Sequence, residues 1–437
     1  MAALVPYPAY RDPSSPWLGP VPSHWGLRSL GSLVQPVTER GRPDLPLLSV
    51  VRERGVILRS SMTDDENHNF VPDDLSNYKV VRKGDLVINK MKAWQGSVGV
   101  STFHGIVSGH YICFQPRHGN DPRFLNHLLR SPIYTAEMRR LSRGVRPSQF
   151  EIDNDLLRVL PIHLPPLTEQ KAIADYLDAE TARIDALITK KRRMIDLLGE
   201  QVDAQVFAAV SGSLTAGSTP RKHTQIPWLD TIPSHWGSPW LGANHTTQLG
   251  KMLSASVASG PEQYPYVKNT NVQWDRFDLT DLPTMTFDAS DRVRCNLNEG
   301  DLLVCEGGEV GRAAVWPGAP KDVFFQKAIH RVRPVSEAEP RYTMYCLWAA
   351  ANMNVFAVEG NQATIVHLTG EKLREHRFPW PPLAEQREIV RHLDQSRAKV
   401  EGMVERLTKQ IDLLAERRQA LITAAVTGEL EIPGVAA

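Results

Sequence analysis

The chain has only four cysteines among its 437 residues (Cys113, Cys295, Cys305 and Cys346), and no two form a CxxC pair. That scarcity argues against a disulfide framework and against a zinc knuckle. No apolar run approaches the roughly 18 residues that a membrane span needs. Met1–Tyr10 lacks the basic segment and apolar block of a secretory signal. An excess of one charge is missing too, since 50 Lys+Arg against 49 Asp+Glu leaves a net +1. No GxxxxGK[ST] loop supports an NTPase, and the 14 histidines show neither HExxH nor paired-ligand spacing. A soluble, cytoplasmic chain of two or three domains is expected, at about 150 residues per domain.

What is present is local. From Lys79 to Arg146 twelve basic residues stand against three acidic ones, Asp85, Asp121 and Glu137. From Glu39 to Tyr78 the balance reverses, five against eight. A basic face inside a near-neutral chain suits phosphate contact, because the field that matters is the one at the contact surface.

The chain is also written twice. At a shift of 216, Pro165–Pro166–Leu167–Thr168–Glu169–Gln170 falls on Pro381–Pro382–Leu383–Ala384–Glu385–Gln386, and 20 of the 53 columns from Ile162 to Leu214 are identical. At a shift of 211, Pro22–Ser23–His24–Trp25–Gly26 falls on Pro233–Ser234–His235–Trp236–Gly237. Each half therefore opens on a Trp-containing segment, passes through a mixed region of about 130 residues, and ends on a Pro-Pro-Leu punctuation and a long helix. The helices follow from period: Ile173, Leu177, Ile184, Leu187, Ile188, Met194, Ile195, Leu198, Val202 and Val206 recur at three- and four-residue steps, and the second copy does likewise. Prolines sit just ahead, and Gly212 and Gly428 stand where C-caps belong. Some forty residues make a helix roughly 60 Å long, so the two stripes are expected to bury each other as a coiled coil, with Lys191 and Glu180 interrupting the first seam. Two independent helices, each on its own domain, is the alternative.

Between these anchors the pattern is short strands and turns. Gly84–Ile88 and Gly300–Val304 read as turn then strand, His110–Gln115 and Val323–Val332 as strands, and Arg123–Arg140 and Arg341–Val358 as helices. Each mixed region is expected to be α/β with considerable antiparallel pairing. The run Gly307–Gly311 precedes a further strand rather than a helix, so it reads as a hairpin turn and not as a dinucleotide loop. The Pro-Pro pairs lack the flanking residues of an amino-methyltransferase. Glu169–Gln170–Lys171 has the local look of a nuclease triplet, but the copy reads Glu385–Gln386–Arg387 on the same repeated helix, so its role reads as structural. His24 and His235 read as packing beside Trp25 and Trp236. No catalytic centre emerges.

At this point the chain resembles, over essentially its full length, the specificity (S) subunit of type I restriction–modification systems. The PPL-x-EQ stretch before a long helix in both copies is the most specific element. The Trp-x4-Leu-Gly openings (Trp25 to Gly31, Trp236 to Gly242) and the Gly-Asp-Leu strand leading into Gly311–Arg312 are also similar. The first copy departs at that last point, because Met91–Gly99 is longer and lacks the Arg. The resemblance implies an N-terminal segment (1–20), target recognition domains at 21–164 and 231–380, helical regions at 165–214 and 381–432, a linker at 215–230 and a tail at 433–437. The helices would form an antiparallel coiled coil. It implies no catalysis by this chain and no cofactor on it. Two modification (M) subunits would supply S-adenosylmethionine and methylate adenine in each half-site. Restriction (R) subunits, with ATP and Mg²⁺, would add cleavage. Two non-identical readers on one spacer suit a bipartite, asymmetric double-stranded DNA site, with half-sites about one turn, roughly 10 bp, apart. The rival reading is a stand-alone DNA-binding regulator, or a decoy for M subunits.

For DNA contact the candidates in the first domain are Lys90, Lys92, Trp94, Gln95, Arg143, Arg146, Ser148 and Gln149, cations beside amides that can address base edges. In the second they are Arg312, Lys327, Arg331, Asn361, Gln362 and Thr364. From Lys222 to Pro379 fifteen basic residues face seventeen acidic ones, so that domain is expected to lean on partner subunits for affinity. Candidates for the coiled coil and for subunit docking are Glu169, Gln170, Ile173, Leu177, Ile184, Leu198, Glu385, Gln386, Ile389, Leu393, Val400 and Leu414.

Overall fold

In a computed structural model of the chain, residues 6–432 are described apart from 14, 53, 63–70, 118, 145–149, 215–218, 259, 261 and 357–366. The chain divides into two compact units, Met1–Lys191 with Thr408–Ala437, and Arg192–Leu407. Each of the two long helices, Leu167–Val210 and Leu383–Thr427, gives one half to each unit.

Both units are built on the same sheet. In the first, four antiparallel strands run in the order Val34–Pro36, Tyr111–Pro116, Leu86–Asn89, Val98–Val100. In the second the order is His245–Leu249, Ile329–Pro334, Leu302–Cys305, Ala313–Val315. The duplication read from short identities is thus a duplication of topology, and Gly307–Gly311 does turn one antiparallel strand into the next. Helix Pro340–Asn352 buries Tyr342, Tyr345, Cys346 and Leu347 in the second unit's core.

Three local readings are corrected. Arg123–Arg140 is two helices, Pro122–Arg130 and Pro132–Arg140. Pro132 has no N–H to give and its ring drives Ser131 out of the helical region. Ser131 accordingly sits at φ −62, ψ 152, and its hydroxyl accepts from the Tyr134 N–H. Val323–Val332 is likewise two strands: Phe324–Phe325 pairs with Tyr266–Val267, while Ile329–Pro334 joins the main sheet. The helix read as Arg341–Val358 ends at Asn352, and 357–358 lie outside the described residues.

The long helices pair antiparallel. Within the first unit Asp185 meets Arg418 at 3.0 Å and Lys191 donates to Gln410 at 2.6 Å. Within the second, Ser396 donates to Gln205 at 2.5 Å. Positions 184, 188, 191, 195, 198 and 202 of the first helix, and 400, 404, 407, 411, 414 and 418 of the second, are buried or half-buried. These alternating steps of four and three are a heptad seam. Lys191 therefore lies in the seam and is satisfied there. Leu187 and Met194, counted in the apolar stripe, instead stand exposed at 41% and 52%.

The mixed region of each unit is tied to the start of one helix and the end of the other. Glu169, 2% exposed, accepts from the Trp25 indole N–H at 2.9 Å, the Tyr7 hydroxyl at 2.5 Å and His24 at 2.8 Å. Glu385 accepts from Trp236 and His235, both at 2.9 Å. Gln170 accepts from the Asp121 N–H at 2.9 Å and donates to the Pro165 carbonyl at 2.8 Å; Gln386 makes the same pair with Glu339 and Pro381 at 3.0 and 2.9 Å. This is why the Glu-Gln pair recurs: it fastens the domain to the helix. Gly428 (φ +79) ends the second helix against Pro22 and Trp25, and Gly212 (φ +70) ends the first against Pro233 and Trp236. A Cβ there would stand 2.3 or 2.5 Å from the proline ring, so neither the backbone nor the space admits a side chain. Of the coiled-coil candidates, Glu169, Gln170, Ile173, Leu177 and Ile184 are buried in the first unit. Gln386, Leu393 and Val400 are buried in the second. All serve the chain's own packing. Glu385, Ile389, Leu198 and Leu414 are half-buried.

Buried histidines give the fold an acid-labile edge. His245, 3% exposed, stands edge-on to Trp380 at 5.6 Å, and burial pushes its pKa down to about 4. Burial lowers His163 and His330 as well. The unfolded chain takes up these protons near pH 6.5 and the folded chain only at lower pH, so stability is full above 6.5 and falls as the pH drops. His245 alone accounts for about 3 kcal/mol of that loss by pH 4. His245→Phe, which keeps a ring against Trp380, is expected to flatten the decline in denaturant midpoint between pH 7 and pH 5. An unchanged slope would contradict this assignment.

Candidate nucleic-acid interface

In the first unit the strand Leu86–Asn89 delivers the chain into a tight turn that displays four of the candidate side chains. Asn89 accepts from the Met91 N–H at 3.1 Å, the Trp94 indole donates to the Met91 carbonyl at 3.1 Å, and Gly96 closes the turn at φ +87. Trp94 is fixed edge-on to Phe150 at 5.5 Å, with Arg139 6.0 Å from its ring. The Lys90 carbonyl accepts from Ile152, and its ammonium pairs with Glu151. Glu151 lies opposite Arg143 in a two-residue ladder, and the Arg143 guanidinium faces Asp153 at 3.7 Å. The fold thus brings Arg143, 74% exposed, beside Lys90, although 52 residues of chain lie between them. Arg146, Ser148 and Gln149 lie outside the described residues.

The turn separates two clefts. One, of ≈ 540 Å³, is lined by Trp94, Gln95, His127 and four arginines, Arg52, Arg130, Arg139 and Arg418. The other, of ≈ 510 Å³, is lined by Arg59, Lys92, His110, Asn89, Tyr78 and Tyr111 among others. Among the described residues no carboxylate lines either. A ridge carrying an amide and an indole between two cationic troughs can hold a phosphate backbone on each side and offer polar groups to base edges. Sequence reading missed Arg52 and Arg59, since they fall in the stretch whose overall balance is acidic. Arg130 and Arg139 lay within the basic stretch, but nothing in their spacing singled them out.

The second unit differs. Its turn, Glu306–Arg312, needs glycine at 311: φ is +85 and a Cβ would lie 2.4 Å from the Phe356 ring. Arg312 is turned inward, bound to Glu309 at 3.1 Å and to the Asn269 carbonyl and amide oxygens at 3.1 and 3.0 Å, with 14% of its side chain exposed. Arg331 is bound to the Asn296 backbone and side-chain oxygens at 2.5 Å, and burial lowers its pKa. Lys327 is exposed. Asn361, Gln362 and Thr364 lie outside the described residues. The second unit's candidate cations are therefore largely committed to its own loops.

No group of three or more His, Cys, Asp or Glu among the described residues could hold a metal ion. All four thiols are buried, and burial pushes Cys113 and Cys346 up to about 12, so neither is a thiolate at neutral pH. Among the described residues no helix is long and apolar enough to cross a membrane.

Comparison with known proteins matches the type I restriction modification DNA specificity domain twice, at residues 23–196 and 246–412. The specificity subunit of the type I restriction enzyme EcoKI from Escherichia coli (strain K12) is 25% identical over 323 residues, 70% of this chain and 65% of that one. The EcoBI specificity subunit from Escherichia coli is 32% identical over 317 residues, again 70% of this chain and 65% of that one. The chain thus spans 65% of the length of these two relatives. Among solved structures, one from work on the assembly and conformational transition of the type I R-M system is 18% identical, with a TM-score of 0.66. That match covers 94% of this chain and 99% of the other, and it shows the fold.

Proposed function

Because the chain belongs to the type I restriction–modification DNA specificity family, we propose that it is the sequence-reading subunit of such a system, without a reaction of its own. The observation that carries this is one sheet topology built twice, with different turns displayed: an open, cation-flanked turn at Lys90–Gln95 and an internally tied one at Glu306–Arg312. Two similar but unequal readers suit a bipartite, asymmetric site on double-stranded DNA. The DNA-contacting side chains of the first reader are Lys92, Trp94, Gln95 and Arg143, with Arg59 and Arg139 on the phosphates. Lys327 is the exposed candidate of the second. The paired helices set the gap between half-sites and dock two M subunits, which carry S-adenosylmethionine and methylate adenine N6 in each half. Restriction subunits, with ATP and Mg²⁺, direct cleavage of unmodified DNA.

The test is a genome-wide map of methylated adenine with and without this gene. Loss of one bipartite motif on deletion supports the reading and supplies both half-sites and the gap. An unchanged map would leave a stand-alone DNA-binding regulator or decoy.

Docking of two M subunits is supported by the repeat itself. Leu187 and Met403, one repeat apart, are exposed at 41% and 37%; Leu197 and Leu413, also one repeat apart, at 46% and 55%. Each unit therefore displays one of these residues from each helix: Leu187 and Leu413 in the first, Leu197 and Met403 in the second. A buried Leu or Met contributes roughly 1.5–3 kcal/mol, so Leu187→Glu with Leu413→Glu should weaken one M site by a hundredfold or more. Native mass spectrometry is expected to show one M subunit retained where the parent chain holds two. Full occupancy by two would contradict docking there.

A further inference from the structure

The two recognition domains are not held to their helices alike. In the second unit, Arg341 and Tyr345 lie one turn apart on Pro340–Asn352 and both face Asp394 of the second long helix. Arg341 donates to Asp394 at 3.0 and 2.8 Å, and the Tyr345 hydroxyl donates to it at 2.6 Å. Arg341 also forks onto Asp275 at 2.7 and 2.6 Å. Asp275 occupies the turn of a small hairpin of the recognition domain, and its side chain is 8% exposed. Arg397, one helical turn beyond Asp394, reaches the same Asp275 carboxylate and lies 4.9 Å over the Trp348 ring. The Trp348 indole donates to Asp203 of the first long helix at 2.8 Å and packs on Trp274 at 5.1 Å. Trp274 donates to Glu309, in the Gly-rich turn, at 2.6 Å. A continuous run of directional contacts thus leads from both helices to the displayed turn.

The first unit has the same plan, less firmly built. Arg123, which like Arg341 follows the proline that starts its helix, meets Asp178, the repeat partner of Asp394, at 3.1 Å. His127 stands where the second unit has Tyr345 and meets Asp178 at 2.7 Å. But Arg123 is 44% exposed, and its other helix partner, Asp175, is 68% exposed. Exposed pairs of this kind hold little, whereas two arginines, Arg341 as a bidentate fork and Arg397, converge on Asp275, a carboxylate only 8% exposed, and so fix an angle as well as a distance.

We propose that Arg341, Asp394, Asp275 and Arg397 form a positioning latch that sets the angle of the second reader on the helices. The latch thereby limits which gaps the pair of readers accepts, while the first joint takes up small misfits. The gap consequence rests on the spacer reading above; the latch itself does not. Two measurements keep them apart.

In the chain alone, spin labels at Val293→Cys and Glu405→Cys, both exposed and both in the second unit, report the distance between recognition domain and helix. The native cysteines are buried. A narrow distribution is expected for the parent and a broad one for Arg341→Ala and for Arg341→Lys, which keeps the charge but loses the fork. A narrow distribution in both variants overturns the latch. Next, the chain with M subunits and S-adenosylmethionine is offered fully randomised duplexes, and the methylated ones are sequenced. Arg341→Ala should return the parent's two half-sites with targets one base pair longer or shorter enriched about tenfold, the order of one lost charged hydrogen bond. Arg123→Ala should change this little. Ile329→Val, a plain core loss in the same unit, should leave the gap distribution unchanged although it lowers stability. Equal broadening by Ile329→Val, or none by Arg341→Ala, overturns the proposed control of the gap. Absence of any bipartite motif from the parent overturns the spacer reading and leaves the spin-label result to decide the latch.

Discussion

Replacing residues 231–379 by the same segment of another specificity subunit is expected to change one half of the methylated target completely and the other not at all. The second unit's cores are assembled from residues within Arg192–Leu407, and those of the first from its own residues. A graft therefore exchanges one reader without disturbing the packing that shapes the other. Its seams are few and specific. The incoming segment must present an indole to Glu385, a backbone N–H to Gln386 and a guanidinium to Asp394, as Trp236, Glu339 and Arg341 do now. Specific recognition commonly exceeds non-specific binding by 10³-fold or more. The original half-site should thus lose at least about that much preference, and the donor's should replace it. Sequencing of methylated adenine in cells carrying the chimaera reads both halves at once. A change in both would mean that the domains do not read independently. Loss of all methylation with the chimaera still folded and bound to M would point to a reader that needs its own helix partners.

Much of this organisation is visible in one sequence because a duplication makes the chain its own alignment. The 216-residue shift marks Glu169 with Glu385 and Asp178 with Asp394, and the three-four period marks both helices before any coordinate is known. What stayed hidden is what depends on distant partners. The seam runs through positions 184, 188, 191 and 195 rather than through Leu187 and Met194, and which apolar residue faces the partner helix is decided by register, not by hydropathy. Proline at 132 was in plain view, yet the apolar pattern on either side hid the break at Ser131. Arg312 and Arg331 read as cations available to DNA, because nothing nearby in the chain announces Asn269 or Asn296 as their partners. The cationic clefts beside Trp94 draw on Arg52, Arg59, Arg139 and Arg418, four positions that only the fold collects.

Deleting residues 189–195 together with 406–412, which spares Leu187, Leu197, Met403 and Leu413, is expected to shorten the gap of the target while leaving both half-sites as they are. The two stretches contain the contact between Lys191 and Gln410, so the cut removes facing segments. Seven residues are one heptad, and the seam positions on either side meet again in register. A four-residue deletion would instead rotate one flank of the seam against the other and should lower stability. Seven residues at 1.5 Å remove about 10.5 Å of helix. At 3.4 Å per base pair that is at most about three base pairs of DNA. Length and rotation then disagree. A heptad returns each helix to the same face, but three base pairs turn the duplex through nearly a third of its roughly 10-bp repeat. The readers can both engage only if DNA twist or their joints absorb that angle. The firmer joint resists, so the first reader and the duplex must yield. Methylation of the parent's site should therefore be lost, and sites two or three base pairs shorter should be modified in its place, more slowly than the parent modifies its own. An unchanged gap in the deletion variant would show that the helices do not measure the distance, and would place spacing in the M subunits.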